Sequence, residues 1–255
     1  MNTILDYIRN FLKIIGGLFL LLKDTISIGI KPPYEFKLIL NQLYETGVKS
    51  MSITNLTMLF TGMVLSLQTS YSLRPYGARI YIGDLVALSI VRELGPVLTA
   101  LMIGGRVGAG ITAELGSMNV TEQIDALRAL AASPIKKLVV PRVLALLIII
   151  PTLTILGDFI GIMGGCFIAI YEIGQTGQYF MQHVIKAMTI ADILNGIGKT
   201  FFFSIIISTI ACYNGLTASG GADGVGKATT NTVVMASISI FIADFFLTKL
   251  FILFE

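Results

Sequence analysis

Apolar residues in this chain come in long runs, and five of those runs are long enough to cross a bilayer as helices: roughly 50–72, 85–112, 143–170, 196–217 and 230–254. A helix rising ~1.5 Å per residue needs about 20 residues to span ~30 Å of hydrocarbon. The second and third runs would reach roughly 42 Å, so they must tilt, kink or project beyond the membrane. Pro96 and Pro151 are candidate kink points.

The pattern changes over residues 1–49. The apolar run Ile14–Leu22 is too short to span, Lys13, Lys23, Lys31 and Lys37 flank or follow it, and Lys31-Pro32-Pro33 interrupts any helix. The expected element is an N-terminal interfacial amphipathic helix with its basic residues toward lipid headgroups. A re-entrant or protein-buried helix is the alternative. The same run follows Arg9 and Lys13 and ends at Lys23-Asp24 without a small-residue cleavage site, so a cleavable signal peptide is not expected.

Two connections carry polar pattern of their own. Within 113–142, the stretch 121–130 reads as a short amphipathic helix. Thr121 is its candidate cap, Glu122 and Asp125 fall in the first turn, Ile124, Leu127 and Ala131 form one apolar stripe, and Ser133-Pro134 is its stop. Such a helix either docks into a partner or packs on its own bundle. Residues 171–195 mix Glu172, Gln175, Gln178, Gln182, His183, Lys186 and Asp192 with apolar residues, which predicts short helices at the outer interface.

Composition points the same way. The chain is 55% hydrophobic and 13% charged, against about 25% charged in soluble domains, and its mean hydropathy is +0.83. Too few polar groups are available to cover a water-facing globule, so the fold class is an all-α integral membrane protein. A net charge of +3, spread along the chain, does not suggest a nucleic-acid partner. The distribution of Lys and Arg sets orientation. With the N-terminus cytoplasmic, Arg9, Lys13, Lys23, Lys31, Lys37, Lys49, Arg128, Lys136, Lys137, Arg142 and Lys227 lie inside, and only Arg74, Arg79 and Lys186 lie outside. The C-terminus then lies outside.

Little in the chain resembles catalytic chemistry. Gly221-Ala222-Asp223-Gly224-Val225-Gly226-Lys227-Ala228 approaches a phosphate-binding loop, but Ala228 replaces the hydroxyl residue that would ligate Mg²⁺, and the stretch follows a span rather than a strand. A flexible cytoplasmic turn is expected there. Cys166 and Cys212 lie in apolar runs without metal or disulfide spacing, and His183 is the single histidine. No cofactor is expected and no enzymatic site is assembled. Energy for transport must therefore come from a gradient or from another subunit.

Ionisable residues inside spans are functional candidates by default. Arg92, Glu93, Arg106, Asp158, Asp192 and Asp244 qualify, each with a structural ion pair as the alternative. Arg92 and Glu93 point about 100° apart on a helix, so one can face a cavity while the other packs into protein. Gly104 and Gly108, and Gly157, Gly161 and Gly165, repeat at four-residue spacing, which favours close helix–helix approach.

Residues 85–142 resemble the MlaE-type permeases, membrane subunits of lipid-trafficking ABC systems that work with MCE-domain proteins. The likeness lies in Leu85-Val86-Ala87-Leu88-Ser89, Arg92-Glu93-Leu94-Gly95-Pro96-Val97, Gly105-Arg106-Val107-Gly108-Ala109, Thr112-Ala113-Glu114-Leu115-Gly116, Thr121-Glu122-Gln123-Ile124 and Pro141-Arg142. It extends to Asn41-Gln42-Leu43-Tyr44, Gly62-Met63-Val64-Leu65, Leu67-Gln68, Asn214-Gly215, Ala228-Thr229-Thr230 and Thr232-Val233-Val234.

The resemblance implies a five-helix permease domain over 50–255, a homodimer, a separate cytoplasmic ABC ATPase and an MCE-domain substrate-binding protein on the outer side of a bacterial inner membrane, which makes the outer C-terminus periplasmic. It makes 121–130 the coupling helix, with Thr121, Glu122, Gln123, Ile124, Asp125, Leu127 and Arg128 as its contact residues. It also places a phospholipid cavity at Leu65, Leu73, Tyr76, Glu93 and Leu94, where Arg74 and Arg79 depart from the family pattern. Two other readings compete: a gradient-driven secondary transporter using Glu93, Asp158 or Asp244 as a proton relay, and a scaffold that anchors other proteins.

Overall fold

A computed structural model describes residues 2–30, 32 and 35–254, and no strand occurs among them. The helices are α1 (Asn2–Gly29), α2 (Phe36–Tyr76), α3 (Arg79–Val120), α4 (Gln123–Ala129), α5 (Ile135–Tyr171), α6 (Gly177–Ala187), α7 (Ile190–Leu216) and α8 (Gly221–Phe254). Five of them, α2, α3, α5, α7 and α8, are long and apolar enough to cross a membrane. Each contains one of the five predicted runs to within one residue and extends beyond it at one end or both, because an apolar run marks only the part of a helix that must face hydrocarbon.

These extensions correct two expectations. The connection after α3 is confined to residues 121–134, since α3 continues to Val120 and α5 already begins at Ile135. Residues 221–228 are the first turns of α8 rather than a flexible turn, with Lys227 and Asp223 paired one turn apart at 2.7 Å. The chain turns into them through Gly220 and Gly221, whose φ of 91° and 68° a side chain would oppose. The break expected at Lys31-Pro32-Pro33 falls between α1 and α2, and Lys31 and Pro33 lie outside the described residues.

Helix α1 is longer than Ile14–Leu22, and its exposure pattern divides its circumference in three. Ile14, Gly17, Leu18, Leu21, Leu22, Thr25, Ile28 and Gly29 are the less exposed positions, at the three- and four-residue spacing of a packed face. Beside it run exposed Leu12, Ile15, Phe19, Ile26 and Ile30. The remaining sector carries Arg9, Lys13, Lys23, Asp24 and Ser27.

The chain divides into two compact units, and each of the five helices of spanning length contributes to both. The first comprises Met1–Tyr44, Gly104–Leu146 and Ile205–Ser239. Here α3, α7 and α8 are joined by buried hydroxyls. Thr112 Oγ1 meets the carbonyls of Gly108 (2.9 Å) and Ala211 (3.0 Å) and the hydroxyl of Thr232 (2.8 Å), and Asn214 donates to Thr232 Oγ1 at 2.9 Å. At the end of α3, Asn119 donates to the carbonyl of Ala218 at 3.0 Å. Arg142, buried at the start of α5, donates to the carbonyl of Leu138 at 2.5 Å and pairs with Glu114 of α3 at 2.7 Å.

The second unit comprises Glu45–Ile103, Leu147–Ser204 and Ile240–Glu255. Its core gathers Met58 of α2, Ile82, Val86, Ala87, Ile90 and Val91 of α3, Ile162, Cys166 and Ala169 of α5, and Phe180 and Val184 of α6. The glycine spacing foreshadows how closely α2 and α5 approach. A Cβ on Gly62 would overlap the carbonyl oxygen of Gly161, and one on Gly165 would lie 3.0 Å from Val86. Within 171–195 a short helix forms as α6, whose first turn Thr176 caps by accepting from the N–H of Tyr179 at 3.3 Å. His183 on this helix meets Asp84 at 2.8 Å.

Candidate functional site

In the second unit, α3 is interrupted by a π-helical turn at Ile90–Leu94, where the N–H of Gly95 reaches back to the carbonyl of Ile90. Such wide turns recur at functional sites, and this one has a local cause. Pro96 has no N–H to offer the carbonyl of Arg92 four residues earlier. A membrane helix must satisfy such a carbonyl from outside itself, and Lys199 of α7 does so, donating from Nζ at 3.1 Å. Gly196, one turn before Lys199, lets α7 come close, since a Cβ there would collide with the carbonyl oxygen of Val91.

Lys199 is the hub of a charged cluster. Its side chain is 3% exposed; Nζ also donates to Glu93 Oε2 at 2.8 Å and Thr248 Oγ1 at 2.6 Å, and it forms an ion pair with Asp244 Oδ1 at 3.1 Å. Thr248 in turn donates to Glu93 Oε1 at 3.2 Å. Arg92 pairs with Asp192, whose fully buried carboxylate also accepts from the N–H and hydroxyl of Thr189, both at 2.8 Å. Asp192, Asn195 and Lys199 recur at i, i+3 and i+7 on α7, and Asp244, Thr248 and Phe251 at i, i+4 and i+7 on α8, so one face of each helix meets the π turn. Arg92, Glu93, Asn195, Lys199, Thr248, Phe251 and Ile252 line one open pocket.

This arrangement revises the expectation for Arg92 and Glu93. Both line the pocket, with side chains 43% and 41% exposed, while each holds a buried partner. Lys199 was not among the sequence candidates, although it is the one charged residue within 196–217 and the rule that flags Glu93 flags it too. Asp158 stands apart. It is buried against Gly95, and its Oδ1 has no hydrogen-bond partner among the described residues. Arg106, in the first unit, is exposed.

The other anticipated lipid-site residues are distributed. Leu65 and Leu73 are half-buried against the same apolar core, Leu94 is half-buried beside Glu93 in the chain, and Tyr76 is 81% exposed at the end of α2. Pocket-lining contacts join Glu93 to Arg92 and Lys199 rather than to these four.

The expected coupling segment is helical over Gln123–Ala129 only. Thr121 does not cap it. Its hydroxyl donates back to the carbonyl of Ser117 at 2.8 Å, closing α3, while Glu122 takes a left-handed φ of 60°. Ser133 and Pro134 do not stop it either. The helix ends at Ala129, Ala131 turns left-handed (φ 56°), and Ser133 begins α5, accepting from the N–H of Lys136 at 3.4 Å. The apolar stripe reduces to buried Ile124 and half-buried Leu127, since Ala131 is exposed. Glu122, Gln123, Asp125 and Arg128 face outward, the last two paired at 2.8 Å. Leu130 is 79% exposed.

A model of the family described as Permease MlaE matches residues 39–250. The chain belongs to the MlaE permease family. This MlaE-family protein is 41% identical over 241 residues to a probable ABC transporter permease protein of Rickettsia felis, covering 94% of this chain and 93% of that one. It is 44% identical over 213 residues to a probable ABC transporter permease protein of Synechocystis, with 83% and 80% covered. It is also 40% identical over 216 residues to the intermembrane phospholipid transport system permease protein MlaE of Haemophilus influenzae, with 84% and 83% covered. The matched residues include the 121–130 segment and the polar side of the charged pocket, Arg92, Glu93, Asn195, Lys199 and Thr248, of this multi-pass membrane permease.

Proposed function

We propose that this permease is the membrane subunit of a phospholipid transporter of the bacterial inner membrane, driven by ATP that a separate cytoplasmic subunit hydrolyses. The carrying observation is the amphiphilic pocket of an MlaE-family chain. Arg92, Glu93 and Lys199 form one wall and Phe251 and Ile252 another, inside segments built to span a membrane. A phospholipid headgroup meets the exposed guanidinium of Arg92, which suits phosphate geometrically. Its chains run toward Leu65, Leu73 and Leu94, with Tyr76 at the mouth. Lys199, spent on buried partners, sets the position of Glu93 rather than meeting lipid itself.

In this reading two copies form the working dimer, the N-terminus is cytoplasmic and the C-terminus periplasmic. An MCE-domain protein exchanges lipid on the outer side, and the outward side chains of 121–130 seat in the ATPase. The test is transfer of labelled phospholipid from proteoliposomes holding this chain, its ATPase and its MCE-domain partner. Arg92→Ala is expected to lower transfer at least tenfold while ATP hydrolysis continues. Undiminished transfer would remove the headgroup assignment. Transfer that needs no ATPase and collapses with the proton gradient would replace the whole reading by a gradient-driven carrier.

A further inference from the structure

The first unit holds a groove of about 290 Å³ that the charged pocket does not explain. Leu18, Phe19 and Leu22 of α1 form one side, Ile205, Ile206, Thr209 and Ile210 of α7 the other, and Ser239 of α8 closes it. Its size is at the lower end for small-molecule pockets, which suits one hydrocarbon chain rather than a whole lipid. The lining is almost wholly aliphatic and aromatic, and α7 and α8 are membrane-spanning segments.

Helix α1 supplies the second element. Leu18 and Leu22 belong to its packed face, and Phe19 begins the exposed apolar stripe, so the groove opens along the border between them. Lys23 follows Leu22 directly and sits one turn beyond Phe19, on the lipid-side edge of the polar sector, with an exposed side chain. Asp24, its acidic neighbour, lies farther round the helix, away from the groove. Gly17 holds the register: a Cβ there would overlap the ring of Tyr213, so α1 meets α7 by close contact just before the groove opens.

We infer that this groove binds one acyl chain of an anionic phospholipid whose phosphate pairs with Lys23. The ammonium of Lys23 reaches the headgroup level along its own methylenes, and each buried CH₂ of the chain favours residence by about 0.8 kcal/mol. The bound lipid fastens α1 to α7 and α8, making the N-terminal helix responsive to the acidic-lipid content of its membrane.

The chain has no tryptophan, which permits a direct test. Phe19→Trp places a single fluorophore in the groove, and Phe241→Trp places one on an exposed apolar position of α8 outside it. Each variant is reconstituted in phosphatidylcholine with increasing phosphatidylglycerol bearing brominated chains. Half-maximal quenching of Phe19→Trp is expected at a several-fold lower fraction of brominated lipid than for Phe241→Trp. Adding Lys23→Gln should abolish the difference and Lys23→Arg should keep it. Coincident quenching curves at the two positions overturn the proposal. So does a groove tryptophan that brominated lipid never quenches, the result expected if a second copy covers this face.

Discussion

The side-chain nitrogen of Lys199 lies 3.1 Å from the main-chain oxygen of Arg92, the oxygen whose helical donor Pro96 lacks. One buried cation thus repairs a backbone break and pairs with two carboxylates, Glu93 and Asp244. The proline, the π turn and the lysine form one device, and it fixes where Glu93 stands in the pocket.

Lys199→Met should therefore be severe. Removing one partner of a buried ionic group costs about 3–5 kcal/mol because the remaining charges stay unpaired. Thermal unfolding in detergent should show a large loss for Lys199→Met and a smaller one for Lys199→Met combined with Glu93→Gln and Asp244→Asn. If the single variant melts like the wild type, the cluster does not hold the helices together.

The approach of α2 to α5 predicts a sharp contrast between glycines. Gly62→Ala inserts a methyl where the carbonyl of Gly161 already lies, so it should lower folded yield strongly. Gly110→Ala, with nothing within 4 Å of its new methyl, should be neutral or stabilising by up to about 1 kcal/mol, since alanine is the better helix former. Size-exclusion profiles and melting of the two variants check this; equal behaviour would mean the helices can move apart freely.

Arg142 and Glu114 brace the two helices that flank α4. Arg142→Met leaves the carboxylate of Glu114 and the carbonyl of Leu138 without their donor, while Glu114→Gln keeps an acceptor for the guanidinium. The first should destabilise by about 1–2 kcal/mol, since the Glu114 carboxylate is 55% exposed and stays solvated, and the second by less. Under the proposed function, Glu114→Gln should also raise the ATP consumed per lipid moved, because the connection at 121–134 is less firmly held.

Under the proposed function, variants within 121–130 separate folding from docking on the ATPase. Ile124→Asp buries a charge and should prevent folding, whereas Leu130→Asp changes an exposed side chain and should leave melting within about 0.5 kcal/mol of wild type. Co-purification with the ATPase should nonetheless fail for Leu130→Asp and for Glu122→Lys. Retention of the ATPase by both variants would move the docking surface off this segment.

Five helices of spanning length, the short helices over Gln123–Ala129 and after Thr176, and the small-residue contact between α2 and α5 were all legible in the chain, because each follows from periodicity or residue size along one element. Helix ends were not. Polar residues beyond the hydrocarbon continue a helix as readily as they end it, so α8 absorbed 221–228. Thr121 and Ser133 were assigned to α4, but each belongs to the helix on its other side, since a hydroxyl serves whichever terminus the backbone turn presents.

The sequence by itself determined that this chain lives in a bilayer, how many times its apolar runs can cross, which residues are too costly there to be idle, and the family it resembles. Hydrophobic length and the expense of buried charge are local properties, readable one residue at a time. Only the tertiary structure decided that Lys199 is the partner of Glu93, Asp244 and the Arg92 carbonyl. Pairing a charge depends on which helix faces come together, and 106 positions separate Lys199 from Glu93. The groove beneath α1 is of the same kind: three helices make it, and none of them contains it alone.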